Sequence, residues 1–435
     1  MSFPAYPVYK DSGVEWQGAV PADWPRSALK YLADYQNGYP FKPDDWGVEG
    51  LPIIRIAQLT GDSAPNYYAG ELDDCVRVND GDLLFSWSAT IDSFIWSGGD
   101  AWLNQHIFKV TCSDEADQQF LFYLIKLVAP KLADFDAHGS TMKHIKKESL
   151  SERLHVPTLL EQVQIARFLD HETARIDALI EEQQRLIQLL KEKRQAAISL
   201  AVTKGLNPTV QMKDSGVQWL GEVPAHWRSR KVKRLFTQSK QQGYTDMEVL
   251  SVYRDYGVIK KSSRNDNNNK TPDDLSLYQL VMAGDLVVNK MKAWQGSLGV
   301  SDHQGITSPD YVVYRPSHGE SSKFLHYLFR ASHMPKVYLS ISNGIRPSQW
   351  RIEPEKFEQI EVFLPAKAEQ LEIVRYLENQ LTRIDELILC CEQASKFLSE
   401  RRSTLISAAV TGKIDVRGWQ PQVNTPSPEL AEEAV

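Results

Sequence analysis

The sequence has no run of about 18 apolar residues, so no membrane-spanning helix is expected. The N-terminus, MSFPAYPVYKDSG, lacks a basic start followed by an apolar stretch, which argues against secretion and for a cytoplasmic location. Only 4 of the 435 residues are Cys, and Cys390 and Cys391 are adjacent, giving neither a disulfide framework nor a CxxC metal pair. Catalytic signatures are missing as well. No Lys has Asp or Glu two places earlier, which removes the usual carboxylate-lysine pair of metal-dependent nucleases. GxxxxGK[ST], HExxH and GxSxG do not occur, nor does Asn-Pro-Pro-aromatic or Asp-Pro-Pro-aromatic for amino-methylation of a base. The 10 His are scattered without ligand spacing, so neither a metal site nor a catalytic residue is expected on this chain.

One absence is local. Pro and Gly are both missing from Glu161 to Thr203, and apolar residues recur there at Ile165, Leu169, Ile176, Leu179, Leu186, Leu190, Ala197 and Leu200. Steps of three and four, or their sums, are the seam of a helix built to pair. From Glu369 a second stretch superimposes on the first at an offset of 208 without a gap. Gln162 falls on Gln370, Arg167 on Arg375, Arg175-Ile176-Asp177 on Arg383-Ile384-Asp385, and Ala201-Val202-Thr203 on Ala409-Val410-Thr411. Its seam positions are Ile373, Leu377, Ile384, Leu387, Leu398 and Leu405. Polar residues interrupt the seam at Glu172 against Gln380 and at Lys193 against Arg401, either fixing register or facing solvent. A second repeat precedes each helix: KDSGVEWQGAVPADW from Lys10 and KDSGVQWLGEVPAHW from Lys213 agree at 11 of 15 positions.

The chain therefore reads as two tandem halves. The expected fold class is α/β, with mixed α+β globular domains, two long helices forming an antiparallel coiled coil, and an internal duplication with pseudo-two-fold symmetry. The expected domains are 1–158, an N-terminal segment and first globular domain; 159–204, a central helix; 205–366, a second globular domain; 367–412, a C-terminal helix; and 413–435, a disordered tail. In the first domain Leu51 to Leu59 and Asp82 to Trp87 read as strands, and Gln118 to Leu132 as a helix. Forty-odd helical residues make a rod of roughly 60 Å, a ruler between the two domains.

The net charge of -7 counts against nucleic acid until it is divided. Residues 1–158 carry 13 basic and 22 acidic side chains, and residues 205–366 carry 21 and 16. A DNA-binding domain is usually basic throughout, so the first half would need a partner subunit to hold a phosphate backbone. Reading chemistry is present in both halves. The second has Arg254 at a strand end, Lys260, Lys261, Arg264 and Asn267 in KKSSRNDNNNK, Lys290 and Lys292 in NKMKAWQ, and Arg346 and Gln349 in GIRPSQW. The first has Lys143, His144, Lys146 and Lys147 in a basic loop, with Arg55 and Trp87 nearer strand ends. Cations suit phosphates, and Asn or Gln amides suit an adenine edge. Arg55 and Arg254 could equally be structural ion-pair partners. Framework positions match between the halves while intervening residues differ, as in two domains that share a fold and read different targets.

The duplicated KDSGVxWxGxVPAxW openings, the Pro157 and Pro365 lead-ins, the EQxxIxxxL helices with a central Arg-Ile-Asp and the [AS]AVTxG ends resemble the specificity subunit of type I restriction-modification systems, over residues 9 to about 419. The resemblance implies two target-recognition domains, each reading one half of a bipartite DNA sequence. It implies that the helices set the gap and dock two methyltransferase subunits, with restriction subunits as further partners. S-adenosylmethionine, ATP and Mg would belong to those partners, and none to this chain. Two other classes are an enzyme with an unrecognised nuclease or methyltransferase site, which activity of the purified chain with magnesium or S-adenosylmethionine alone would reveal, and a coiled-coil scaffold without DNA specificity, which would show no salt-dependent DNA binding with partners present.

Overall fold

The computed structural model describes residues 3–61, 63–136, 143–264, 271–344 and 350–421. Four helices organise them: α1 (Gln118–Asp136), α2 (Leu159–Lys204), α3 (Ser322–Phe329) and α4 (Lys367–Val410). The chain divides into two units, Met1–Glu182 with Ala394–Val435, and Gln183–Gln393. Among the described residues no helix is long and apolar enough to cross a membrane.

In the first unit an antiparallel sheet runs Ala33–Asn37, Ile107–Cys112, Leu83–Ser86, Asp92–Ile95. Its Phe85, Phe108 and Val110 pack against Phe120, Leu121, Leu124 and Val128 of α1, a helix whose apolar stripe recurs every three or four residues. A second sheet runs Asn66–Tyr68, Leu51–Ile54, Ala101–Leu103, Arg77–Val78, with its central pair parallel. The strand expected from Leu51 to Leu59 stops at Ile54. Residues Ile56–Leu59 turn into a single helical turn because the Gln58 side chain accepts from Arg55 N at 3.0 Å, closing the turn's N-terminus.

The second unit repeats the first sheet's order with Phe236–Ser239, Tyr311–Pro316, Leu286–Asn289 and Leu298–Val300, all antiparallel. Here α3 lays Phe324, Leu325 and Leu328 into the core. The hairpin Leu250–Tyr253 with Gly257–Lys260 stands beside that sheet.

In each unit the globular part is fastened to the start of one long helix by matching bonds. Gln162 accepts from Asp117 N at 2.9 Å and donates to the carbonyls of Glu115 and Pro157. Gln370 accepts from Ser321 N at 2.9 Å and donates to the Pro365 carbonyl and to Glu320 Oε2. Glu161 holds the hydroxyl of Tyr6 at 2.5 Å and the indole N–H of Trp24 at 3.3 Å, while Glu369 holds the Trp227 indole at 3.1 Å and His226 at 2.8 Å. These carboxylates lie in the first helical turn, where the orphan N–H groups favour negative charge. Gln370 is fully buried, so Gln370→Ala strands Ser321 N and the Pro365 carbonyl without partners. Chemical denaturation of the full chain should show a loss of about 1–3 kcal/mol; a loss of a few tenths would mean that water replaces the amide.

Each unit also pairs the first part of one long helix with the last part of the other. In the first, Ile165, Phe168 and Leu169 share a core with Ile406, Ala409 and Val410, and Arg402 Nε lies 2.9 Å from Asp177. In the second, Ile198, Ala201 and Val202 share a core with Ile373, Val374 and Leu377, and Arg194 Nε lies 3.0 Å from Asp385. Leu190 and Ile187 meet Ile384, Ile388 and Cys391 in a small cluster. Along α2 the residues turned inward are Leu169, Thr173, Ile176, Ile180, Gln183, Ile187, Leu190, Arg194, Ala197 and Ala201, in alternating steps of four and three.

This corrects the expected seam. Ile165, Leu169, Ile176, Leu190, Ile373, Leu377 and Ile384 are buried, and Leu398 and Leu405 half-buried, but Leu179, Leu186 and Leu387 are exposed. From Leu169 the heptad passes through Thr173 and Gln183, so the inward residues are Ile180, Ile187 and Ile388. Leucines one place away imitate the seam. Lys193 and Arg401 are exposed, which favours their solvent-facing reading.

The expected tail also needs correction. Val416 is buried, Trp419 packs edge-on against Phe168 at 5.3 Å, and Asp415 N donates to the Pro4 carbonyl at 2.8 Å. Gly412 starts this segment with φ +71, and an added Cβ would sit 2.4 Å from Pro21. The chain after α4 is thus packed structure through Trp419.

Candidate nucleic-acid interface

In the second unit the hairpin turn, the segment after Leu286–Asn289 and the segment before Tyr311 enclose a cleft of about 910 Å³. Arg254, Lys261, Arg264 and Lys292 line it, as do Tyr253, Tyr256, Tyr278, Tyr311 and Gln295. Asp255, Asp274 and Asp310 temper the positive charge. The Arg264 guanidinium lies 5.4 Å from the Tyr253 ring centre and 4.6 Å from that of Tyr256, a cation-aromatic stack that gives it one orientation. Opposite, Asn289 Oδ1 accepts from Met291 N at 3.0 Å and Lys292 N at 3.2 Å. That closes a side-chain turn and leaves the amide oxygen committed to its own backbone. Trp294 and Trp350 meet edge-on at 5.2 Å behind it.

The hairpin approaches α3 closely. Gly257 has φ +75, and an added Cβ would lie 2.8 Å from His326 Cε1. Burial first, then the charge of Arg330, lowers the His326 pKa to about 4, so the neutral ring donates from Nδ1 to the Val300 carbonyl at 3.0 Å.

Four of the expected residues, Arg254, Lys261, Arg264 and Lys292, thus come together in one place. Lys260 instead pairs with Glu248 at 2.8 Å, and Lys290 donates to the Pro309 carbonyl at 3.0 Å, so both are committed to the framework. Asn267, Arg346 and Gln349 lie outside the described residues.

In the first unit Trp87, Lys143, His144, Lys146 and Lys147 are neighbours. Ser88 bridges to His144, and Ile145 N donates to the Trp87 carbonyl at 2.9 Å. The Trp87 indole donates to Asn37 Oδ1 at 3.2 Å, fixing its half-exposed ring. Lys143 pairs with Asp134 at 2.5 Å, and the backbone N–H of Lys146 donates to Asp136, leaving the Lys146 and Lys147 side chains exposed. Arg55 belongs to the other sheet, its guanidinium 5.0 Å from the Trp46 ring centre. Arg55 Nε is buried without a hydrogen-bond partner among the described residues. Among those residues no cluster suited to a metal ion occurs.

Sequence reading missed Trp46, Tyr253, Tyr256, Tyr278 and Tyr311. A Tyr-Arg-Asp-Tyr turn before a glycine was the available signal; Tyr278 and Tyr311 come from distant segments and carried none.

Known proteins resemble this chain in sequence and in fold. Residues 21–190 match the type I restriction modification DNA specificity domain. The chain is 29% identical over 185 residues to the type I restriction enzyme EcoBI specificity subunit of Escherichia coli, a match spanning 41% of this chain and 39% of that one. It is 23% identical over 423 residues to the MjaVIII specificity subunit of Methanocaldococcus jannaschii, spanning 92% and 94%. A solved chain from work on complex assembly and conformational transition of the type I R-M system superposes with a TM-score of 0.59 at 15% identity, covering 91% of this chain and 99% of that chain, which shows a shared fold. The specificity-domain match thus covers residues 21–190, and over 92% of its length the chain is similar to a type I restriction enzyme specificity subunit.

Proposed function

We propose that this chain is the non-catalytic reader of a restriction-modification complex, each half recognising one part of a bipartite DNA target. On this reading 1–158 and 205–366 hold the two target-recognition domains, and 159–204 and 367–412 are spacer helices that form an antiparallel coiled coil and fix the gap. The halves are a tandem duplication about a pseudo-two-fold axis. The observation that carries the reading is recurrence at an offset of 208: Gln162 with Gln370, Asp170 with Glu378, and the Asp177–Arg402 pair with Asp385–Arg194 make equivalent bonds in the two units. Such symmetry suits two half-sites on one duplex.

Two methyltransferase subunits, joined by restriction subunits, would dock on the helices, whose outer faces expose Leu179, Leu186, Leu189, Leu387, Leu389 and Phe397. S-adenosylmethionine, ATP and Mg would then reside on those cytoplasmic partners. The acidic first domain would hold DNA with a partner's help, whereas the second has its own cationic cleft.

A base-resolution map of modified adenines in the native host, with and without this chain, tests the reading. A bipartite motif with a fixed unread gap should vanish on deletion. Modification that persists unchanged would remove the specificity role.

A further inference from the structure

The hairpin turn carries Arg254, Asp255 and Tyr256 into the cleft of the second unit. Arg254 and Tyr256 are exposed there, and the stack of Tyr253 and Tyr256 with Arg264 lies on the cleft side of the turn's own backbone anchorage. The turn is held from behind by Arg330, the residue after α3. Its Nη2 donates to the Arg254 carbonyl at 2.7 Å, and its Nη1 donates to the carbonyls of Leu298 at 2.8 Å and Tyr253 at 3.4 Å. The rigid five-donor fork of a guanidinium can serve the hairpin and the adjacent strand at once, which an ammonium cannot do with the same geometry.

Arg330 is itself anchored to the long helix. Its carbonyl accepts from Gln195 Nε2 at 2.9 Å, and two residues on, Ser332 N donates to Ser199 Oγ at 2.8 Å. A continuous run of hydrogen bonds therefore leads from α2, through Arg330, to the turn. Arg264 depends on the same turn, because its guanidinium rests on Tyr253 and Tyr256. Burial lowers the Arg330 pKa to about 10, which leaves it charged at neutral pH and in need of those carbonyls.

We propose that Arg330 is a positioning residue for DNA reading: the fork through which α2 holds the Tyr253–Tyr256 turn, and with it Arg254 and Arg264, in the orientation that discriminates bases in one half-site. The inference rests on the function proposed above.

The test uses the full chain assembled with the modification subunits of its own system. Modification rates are compared on the cognate duplex and on duplexes with one base changed in either half-site. Arg330→Lys should reduce discrimination roughly tenfold in one half-site and leave the other within about twofold, the size expected when one good base contact is lost. Tyr256→Ala, in the exposed turn, should affect the same half-site, and the double variant should be no worse than the poorer single variant. A purely structural role would lower the melting temperature while discrimination stays intact or falls equally in both half-sites, and either result overturns the proposal. If Arg330→Lys does not fold, Tyr256→Ala decides alone, with undiminished discrimination counting against it. A wild-type complex without bipartite discrimination would remove the function itself, and that is seen before any variant is made.

Discussion

Replacing residues 228–366 with the equivalent segment of a relative that reads a different target will exchange one half-site completely and leave the other unchanged. The cut points are favourable, because Arg228–Lys231 pairs antiparallel with Glu361–Leu364 in register, so both ends of the segment leave side by side on one two-stranded ribbon. The segment's core is not self-contained: Ile198, Ala201, Val202, Ile373, Val374 and Leu377 of the long helices close it. A donor must therefore supply apolar residues where Phe324, Leu325 and Leu328 stand, and a free N–H for Gln370 where Ser321 stands. Each wrong base pair costs about 1–3 kcal/mol, roughly additively, so a half-site of several base pairs switches preference by orders of magnitude. The adenine modification map of a host carrying the chimera reads the result directly. Changes in both half-sites would mean that the two globular parts do not read independently.

Four residues inserted near Gln183 in α2, matched by four near Cys391 in α4, will lengthen the unread gap without altering either half-site. Four helical residues add about 6 Å, or roughly two base pairs at 3.4 Å each. Both helices need the insertion because each unit is built from the start of one and the end of the other, as the Asp177–Arg402 and Asp385–Arg194 pairs record. Four residues also advance the helix about 40° beyond one turn, a stutter that locally unwinds the pair. Some loss of activity is expected, with the longer gap now preferred over the original. An altered half-site with an unaltered gap would refute the ruler.

Much of the framework was legible in the residues. The Pro- and Gly-free stretches predicted α2 and α4 to within two residues at each end, because helix breakers act locally. The offset of 208 marked Gln162 and Gln370 as equivalents, although only the structure revealed what each fastens. Seam phase was less legible. Leu179, Leu186 and Leu387 are better apolar candidates than Thr173 or Gln183, and periodicity counts apolar residues rather than contacts.

The candidate site divides in the same way. Arg254, Lys261, Arg264 and Lys292 were identifiable as cations in polar segments, but Lys260 and Lys290 look identical in sequence and are tied to Glu248 and the Pro309 carbonyl. Arg330 carried no signal at all, since its partners are backbone carbonyls that every sequence possesses. The sequence by itself determined the repeat, the helix limits and the pool of candidate residues, because these follow from local propensity and residue chemistry. Tertiary structure alone decided which leucines face inward, which cations line the cleft and which arginine holds the Tyr253–Tyr256 turn, because those depend on what distant segments place within a few ångströms.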